Sequence, residues 1–203
     1  LHATKAYFDL PWLLRHHPQV KAVINLSGSL LRQLAAYADG ELLDVWWDLS
    51  VADPADLDRP GKLFLLKNFF SIHWDRHVRA MPGFARLLAK RGPVADEVTV
   101  GRWSDRDLLD LQVLFNLAWM GFAAREESEV VRGLLERQSG FGASDKEALL
   151  AEQMRILRAV LPIYRELSAT GQIELTTTPM FHPILPLLID SDAARRCAPS
   201  RPV

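Results

Sequence analysis

Gly171–Leu188 reads GQIELTTTPMFHPILPLL. Gly171 follows a long helical pattern and stands where a helix C-terminus favours glycine. Gln172–Thr177 then alternates, with Ile173 and Leu175 on one face and Gln172, Glu174 and Thr176 on the other, the period of a short strand. Pro179, Pro183 and Pro186 each fix φ and lack a backbone N–H, so neither a central strand nor an unbroken helix continues. A carboxylate on a strand, followed by a stiff loop, is one way α/β folds build ligand sites. The same pattern also fits a half-exposed edge strand with Glu174 in water.

Upstream, Val20–Leu26 is short, β-branched and bounded by Pro18 and Ser27, and reads as a buried strand. Helical patterns flank it. Thr4–His16 places Ala6, Tyr7, Leu10, Leu13 and Leu14 on one stripe, with Pro11 inside. Ser29–Ala38 does the same with Leu30, Leu31, Leu34 and Tyr37. From Glu41 to Leu167 the chain reads as successive helices without a convincing strand. They include Lys62–His77, Phe84–Lys90 and Leu108–Met120, the last behind a start signal at Ser104-Asp-Arg-Asp107. A long helix runs from Ser144-Asp-Lys-Glu147 through Pro162 to Leu167. The predicted division is a helix–strand–helix unit (1–40), a helical insertion (41–167) and a strand with a loop (168–203). About 125 residues between consecutive strands far exceed a plain βαβ crossover of a few tens. The class is α/β with a long helical excursion.

Charge is balanced, 24 Lys and Arg against 25 Asp and Glu, so neither nucleic acid nor an anionic membrane is implied as a partner. No apolar run reaches the length of a membrane span. The single cysteine, Cys197, excludes an internal disulfide and fits a reducing, cytoplasmic setting. His73 and His77 have metal-ligand spacing, but Trp74 occupies the place where a zincin carries glutamate. No metal and no cofactor is predicted. The run Arg125-Glu126-Glu127 reads as a solvated helix face.

GQIELTTTPMFHPILPLL resembles the second signature region of glycoside hydrolase family 57, the retaining amylases and amylopullulanases of α-glucans. LHATKAYFDLPWLL, INLSGSLLRQLAAYADG, FLLKNFFSIHWDR and LQVLFNLAWMGFAARE agree, so the similarity runs from Leu1 to about Asp192. Met180 and Phe181 stand where the family often has two tyrosines, which removes two phenol hydroxyls. The resemblance implies part of an incomplete (β/α)7 barrel, with the helical insertion between two parallel strands. It also implies an α-glucan or maltooligosaccharide substrate, hydrolysed or transferred. Retention requires two carboxyl groups roughly 5–5.5 Å apart. The family's opening histidine-glutamine-proline motif is not found here, nor are the strands bearing its nucleophilic glutamate and acid/base aspartate. The resemblance therefore puts the catalytic pair outside this chain, makes the remainder of its own catalytic domain a partner, and leaves the fragment alone inactive. The alternative is a non-catalytic, mostly helical binding or scaffold module of the same ancestry.

By resemblance Glu174 is the region-two glutamate, in the substrate cleft and distinct from the nucleophile. A carboxylate facing a barrel lumen costs several kcal/mol unless paired or solvated, and a sugar-hydroxyl contact is its expected role. His182, held between Phe181 and Pro183, either offers an imidazole nitrogen to a sugar or bonds to backbone as a structural residue. Trp46 and Trp47 are adjacent and cannot share one narrow face. One ring is expected to be exposed or at a contact, where it can serve as a platform for sugar C–H groups. Trp74 and Trp119 lie on apolar stripes and read as core.

Overall fold

The computed structural model describes residues Leu1–Leu42 and Asp44–Ser200. Of the loose end expected over Ala198–Val203, positions 201–203 lie outside the described residues. Helix α1 (Phe8–His16) follows a wide π-type turn, Ala3–Tyr7. The wider turn changes the phase of the stripe after it. Thr4, Phe8 and Trp12 are buried, whereas Leu10 and Leu13, expected on the apolar stripe, are exposed. Strand β1 (Ala22–Asn25) leads into α2 (Gly28–Ala38), whose N-cap Ser27 accepts the Leu30 N–H. Then come α3 (Val45–Val51), α4 (Arg59–Asn68), α5 (Pro82–Arg91), α6 (Glu97–Gly101), α7 (Asp105–Ala118), α8 (Phe122–Glu127), α9 (Glu129–Arg137) and α10 (Ala143–Ala169). Strand β2 (Ile173–Thr176) and two short helices, α11 (Leu185–Ile189) and α12 (Ala193–Cys197), complete the order. The single helix expected over Lys62–His77 stops at Asn68. A second π-type turn, Trp74–Val78, takes its last part, capped by His73 Nδ1, which accepts the Arg76 N–H.

The two strands pair in parallel as expected, from Ala22 beside Ile173 to Asn25 beside Thr176. They form a two-stranded sheet inside a mostly helical α/β fold. One face is covered: Ile173 is buried, and Ala22 and Ile24 pack on the core. Val23, Glu174, Asn25 and Thr176 are exposed on the other. The expectation of a buried β1 is thus corrected. Val23 is 67% exposed because only one side of the sheet meets helices. Gln172 departs from its alternation as well. It is buried, and its Nε2 donates to the carbonyls of Leu14, His17 and Val20, tying the end of α1 to the start of β2.

Helix α7 lies at the centre, with Leu108, Leu111, Leu114, Phe115 and Leu117 fully buried. Asp110, Gln112 and Asn116 are buried too, and each is satisfied, since a buried group left unpaired costs about 1–3 kcal/mol. Asp110 Oδ1 accepts the N–H groups of Gly140 and Phe141, each at 3.0 Å. Gln112 Nε2 donates to the carbonyls of Leu49 (2.6 Å) and Ala52 (3.0 Å), while its Oε1 accepts from Lys146 Nζ. Asp9 plays the same part for α8, accepting the N–H groups of Phe122 at 2.8 Å and Ala123 at 3.1 Å. Glycine at 121 makes room for it, because a Cβ there collides with the Asp9 carboxylate. The Arg125–Glu127 run, expected in solvent, is partly docked: Arg125 Nε donates to Met120 O, and Glu127 accepts the Trp12 indole N–H at 2.6 Å.

Candidate functional site

The sequence-predicted residues fall in two places. The first is the C-terminal end of the paired strands. There Leu26 N donates to Thr176 O (2.9 Å), Thr177 Oγ1 donates to Leu26 O (2.8 Å) and Asn25 Nδ2 donates to Thr176 Oγ1 (3.2 Å). The loop beyond β2 then crosses the start of α2. A Cβ on Gly28 would meet Met180 Sδ at 3.1 Å and its Cα at 3.3 Å, so glycine is what lets the loop lie this close. A turn closed by His182 N donating to Pro179 O (2.8 Å) leads to His182 itself, exposed, with φ of 52°. A left-handed backbone costs a non-glycine residue roughly 1–2 kcal/mol, and it fixes the imidazole at the tip of the loop. Glu174 is exposed as the second of four strand residues, opposite Val23, in an open groove that Lys21 and Ser168 also line. Among the described residues no hydrogen bond joins Glu174 to His182.

The second place is a cavity of ≈ 240 Å³ between α2, α3, α7 and α10, closed on one side by residues 1–4. Trp46 and Trp47 both line it, from the start of α3. Trp46 also belongs to the core, stacked on Phe69 and Phe115 with centroids 5.5 Å apart and edge-on to Phe64. Asp44 caps α3 by accepting the Trp47 N–H (2.9 Å), and its other oxygen accepts the Tyr37 hydroxyl at 2.5 Å. Burial first, then Asp44, pushes the Tyr37 phenol up to about 12, so it stays a donor at neutral pH. The base carries a polar chain. Gln153 Nε2 donates to Asn116 Oδ1 (3.1 Å), Asn116 Nδ2 to Ser50 Oγ (2.9 Å), and Ser50 Oγ to Trp46 O (2.7 Å). Asp44, Tyr37, Asn116 and Gln153 were not singled out from sequence. The available signal was amide residues on the wholly apolar stripe of LQVLFNLAWM, which requires buried partners.

The remaining candidates resolve as structure. Trp74 is 41% exposed, contrary to its reading as core; its indole N–H donates to Phe70 O, and the Arg91 guanidinium lies over the ring. Trp119 is half-buried, edge-on to His2. His77 Nε2 accepts from Lys5 Nζ at 2.8 Å. Burial, then Lys5 and Arg125, lowers the imidazole's pKa, which keeps it the neutral acceptor that this bond needs. Among the described residues no three His, Cys, Asp or Glu side chains are grouped to hold a metal ion, and no helix is long and apolar enough to cross a membrane.

Polar and aromatic side chains thus gather at the strand ends and in a small cavity, the composition in which ligand sites are built. The model of Glycosyl hydrolase family 57 matches residues 1–197, and the chain belongs to that family. Its class is therefore glycoside hydrolase and its substrate class carbohydrate, which upholds the resemblance read from Gly171–Leu188. No curated protein and no solved structure matched the chain.

Proposed function

We propose that this chain forms one wall of the cleft of a retaining, α-glucan-active glycoside hydrolase or glucanotransferase of the amylase/amylopullulanase type. The observation that carries the reading is the parallel pair of β1 and β2 with one face on the helices and the other open, Glu174 lying on the open face. In this reading the pair is part of an incomplete (β/α)7 barrel, residues 41–167 are its helical insertion, and 168–203 carry the cleft strand and loop. The nucleophile and the acid/base come from the remainder of the catalytic domain. Glu174 and His182 bind sugar hydroxyls at the strand ends, and Trp46 and Trp47 offer aromatic surface in the separate small cavity. A cytoplasmic setting belongs to the same reading and rests on the lone Cys197.

The test is steady-state kinetics on a maltooligosaccharide with the complete gene product. Glu174→Gln should lower kcat about thirty- to several-hundred-fold, the loss of a charged hydrogen bond worth about 2–4 kcal/mol in the transition state, without a matching rise in KM. Its melting temperature should stay put, since Glu174 is exposed. The 203-residue chain by itself should release no reducing sugar from starch. Full activity of Glu174→Gln would remove Glu174 from the substrate cleft, and no turnover by the unaltered complete gene product would leave the non-catalytic module as the better account.

A further inference from the structure

The cavity between α2, α3, α7 and α10 has a composition that the strand-end site does not explain. At ≈ 240 Å³ it lies below the roughly 300–1,000 Å³ of pockets for drug-sized ligands, so it suits one ring and not a chain. Its walls are apolar and aromatic, with Trp47, Tyr7, Leu30 and Leu157 among them, and its polar groups sit at the two ends. At the base, Asn116 is fully used: Nδ2 donates to Ser50 Oγ and Gln112 O, and Oδ1 accepts from Gln153. Gln153 is not. It is 6% exposed, its Nε2 is spent on Asn116, and its Oε1 receives no hydrogen bond from any described residue. An amide oxygen so placed needs a donor from water or a ligand. At the rim, Asp44 is held by the Trp47 N–H and the Tyr37 hydroxyl and keeps further lone pairs for hydroxyl donors.

We infer that this cavity is a pocket for a single neutral pyranose ring, a free hexose or the terminal unit of a maltooligosaccharide, separate from Glu174 and His182. A pyranose pairs an apolar C–H face, which rests on an aromatic wall, with hydroxyls around its edge, which donate to Gln153 Oε1 at one end and Asp44 at the other. Asp44 is the charged side chain of the lining, and no Lys or Arg joins it. The buried Leu1 α-amino group also lines the cavity and feels the Asp44 charge, so the two offset and a neutral ligand is favoured. A quaternary ammonium would suit the aromatic rings and Asp44 but would leave Gln153 Oε1 at the base without a donor. The choice of sugar over other polyols rests on the proposed carbohydrate chemistry; the pocket and its polarity do not.

The Trp47 indole N–H resonance reports on this pocket alone and is identified by its disappearance in Trp47→Phe. Titrating the protein with glucose and, separately, maltotriose should shift that resonance to saturation. Equal affinities identify the ring itself as the ligand, and tighter maltotriose identifies the end of a glucan. Asp44→Asn keeps the α3 cap and should weaken the sugar about tenfold; Gln153→Leu should do at least as much. The Glu174→Gln titration should be unchanged. No shift with either sugar, an Asp44→Asn affinity equal to the wild type, or saturation by choline chloride would overturn the inference. The two readings fail separately: a silent Trp47 with an impaired Glu174→Gln removes the pocket only, and a sugar-responsive Trp47 with a fully active Glu174→Gln removes the cleft assignment only.

Discussion

The helical middle and the segment after β2 treat their apolar side chains in opposite ways. Around α7, Phe115, Leu111 and Leu114 are wholly buried, and even Asp110, Gln112 and Asn116 find partners there. After β2, Phe181 and Ile189 are each 87% exposed, with Ile184 and Leu188 well exposed beside them. Sequence hydrophobicity is similar in the two regions. What differs is whether neighbouring side chains cover it. The middle is closed on itself, while the last segment presents an apolar surface of the kind that marks an interaction site.

The comparison can be broken most severely at its buried end. Phe115→Ala should cost about 3–5 kcal/mol and lower the melting temperature by roughly 10 °C, because the ring stacks on Trp46 and packs tilted against Phe69, so its loss leaves a cavity. A loss under 1 kcal/mol in denaturant titration would mean that the middle is not the tightly packed unit described. Asp110→Ala strands the N–H groups of Gly140 and Phe141 in a buried turn and should cost about 2–3 kcal/mol by the same measurement.

Next comes alkali. Burial, then the charge on Tyr7, pushes the Tyr164 phenol up to about 12 in the fold, against 10 in the unfolded chain. A raised acid pKa gives stability that is whole below pH 10 and lost as pH climbs through the folded value. Melting temperature should therefore fall between about pH 10 and 12, and Tyr164→Phe should flatten part of that fall. The smallest effect belongs to the open end. Phe181→Ser with Ile189→Ser should leave the melting temperature within about 1 °C, since exposed substitutions rarely exceed 0.5 kcal/mol. The pair should visibly reduce binding of a hydrophobic dye. A large destabilisation by this pair would show that the segment is packed, not open.

The strand pair, the helical run between its members and the start of α7 were legible because each has a local cause. Ile173 and Leu175 alternate with polar residues, β-branched Val23 and Ile24 sit between stops, and Ser104 and Asp107 form the capping pair the sequence announces. The start of α10 was misjudged by two residues for an equally local reason: Asp145, not Glu147, reaches back, to the Gly142 N–H at 2.7 Å. Longer-range effects were not legible. The phase of α1 depends on a π-type turn without a distinctive sequence, and Val23 reads as buried unless one knows that a single sheet face is covered. The aromatic cavity was visible only through Trp46-Trp47. Its base comes from α7 and α10 and its rim from α2 and the residue before α3, a meeting that no spacing reveals.

The register of β1 on β2 has a consequence for how the chain reaches its native state. The hydrogen bond from Thr177 Oγ1 to Leu26 O spans 151 positions, and the ladder beside it closes loops of the same order. Closing such a loop in a flexible chain costs about 4 kcal/mol of entropy, far more than four strand residues recover. The pairing can form only after the helices between have shortened the gap, so the sheet is a late event that reports on the completion of the middle. In pulsed hydrogen exchange during refolding, the amides of α7 and α10 should gain protection first, and Leu26, bonded to Thr176, among the last.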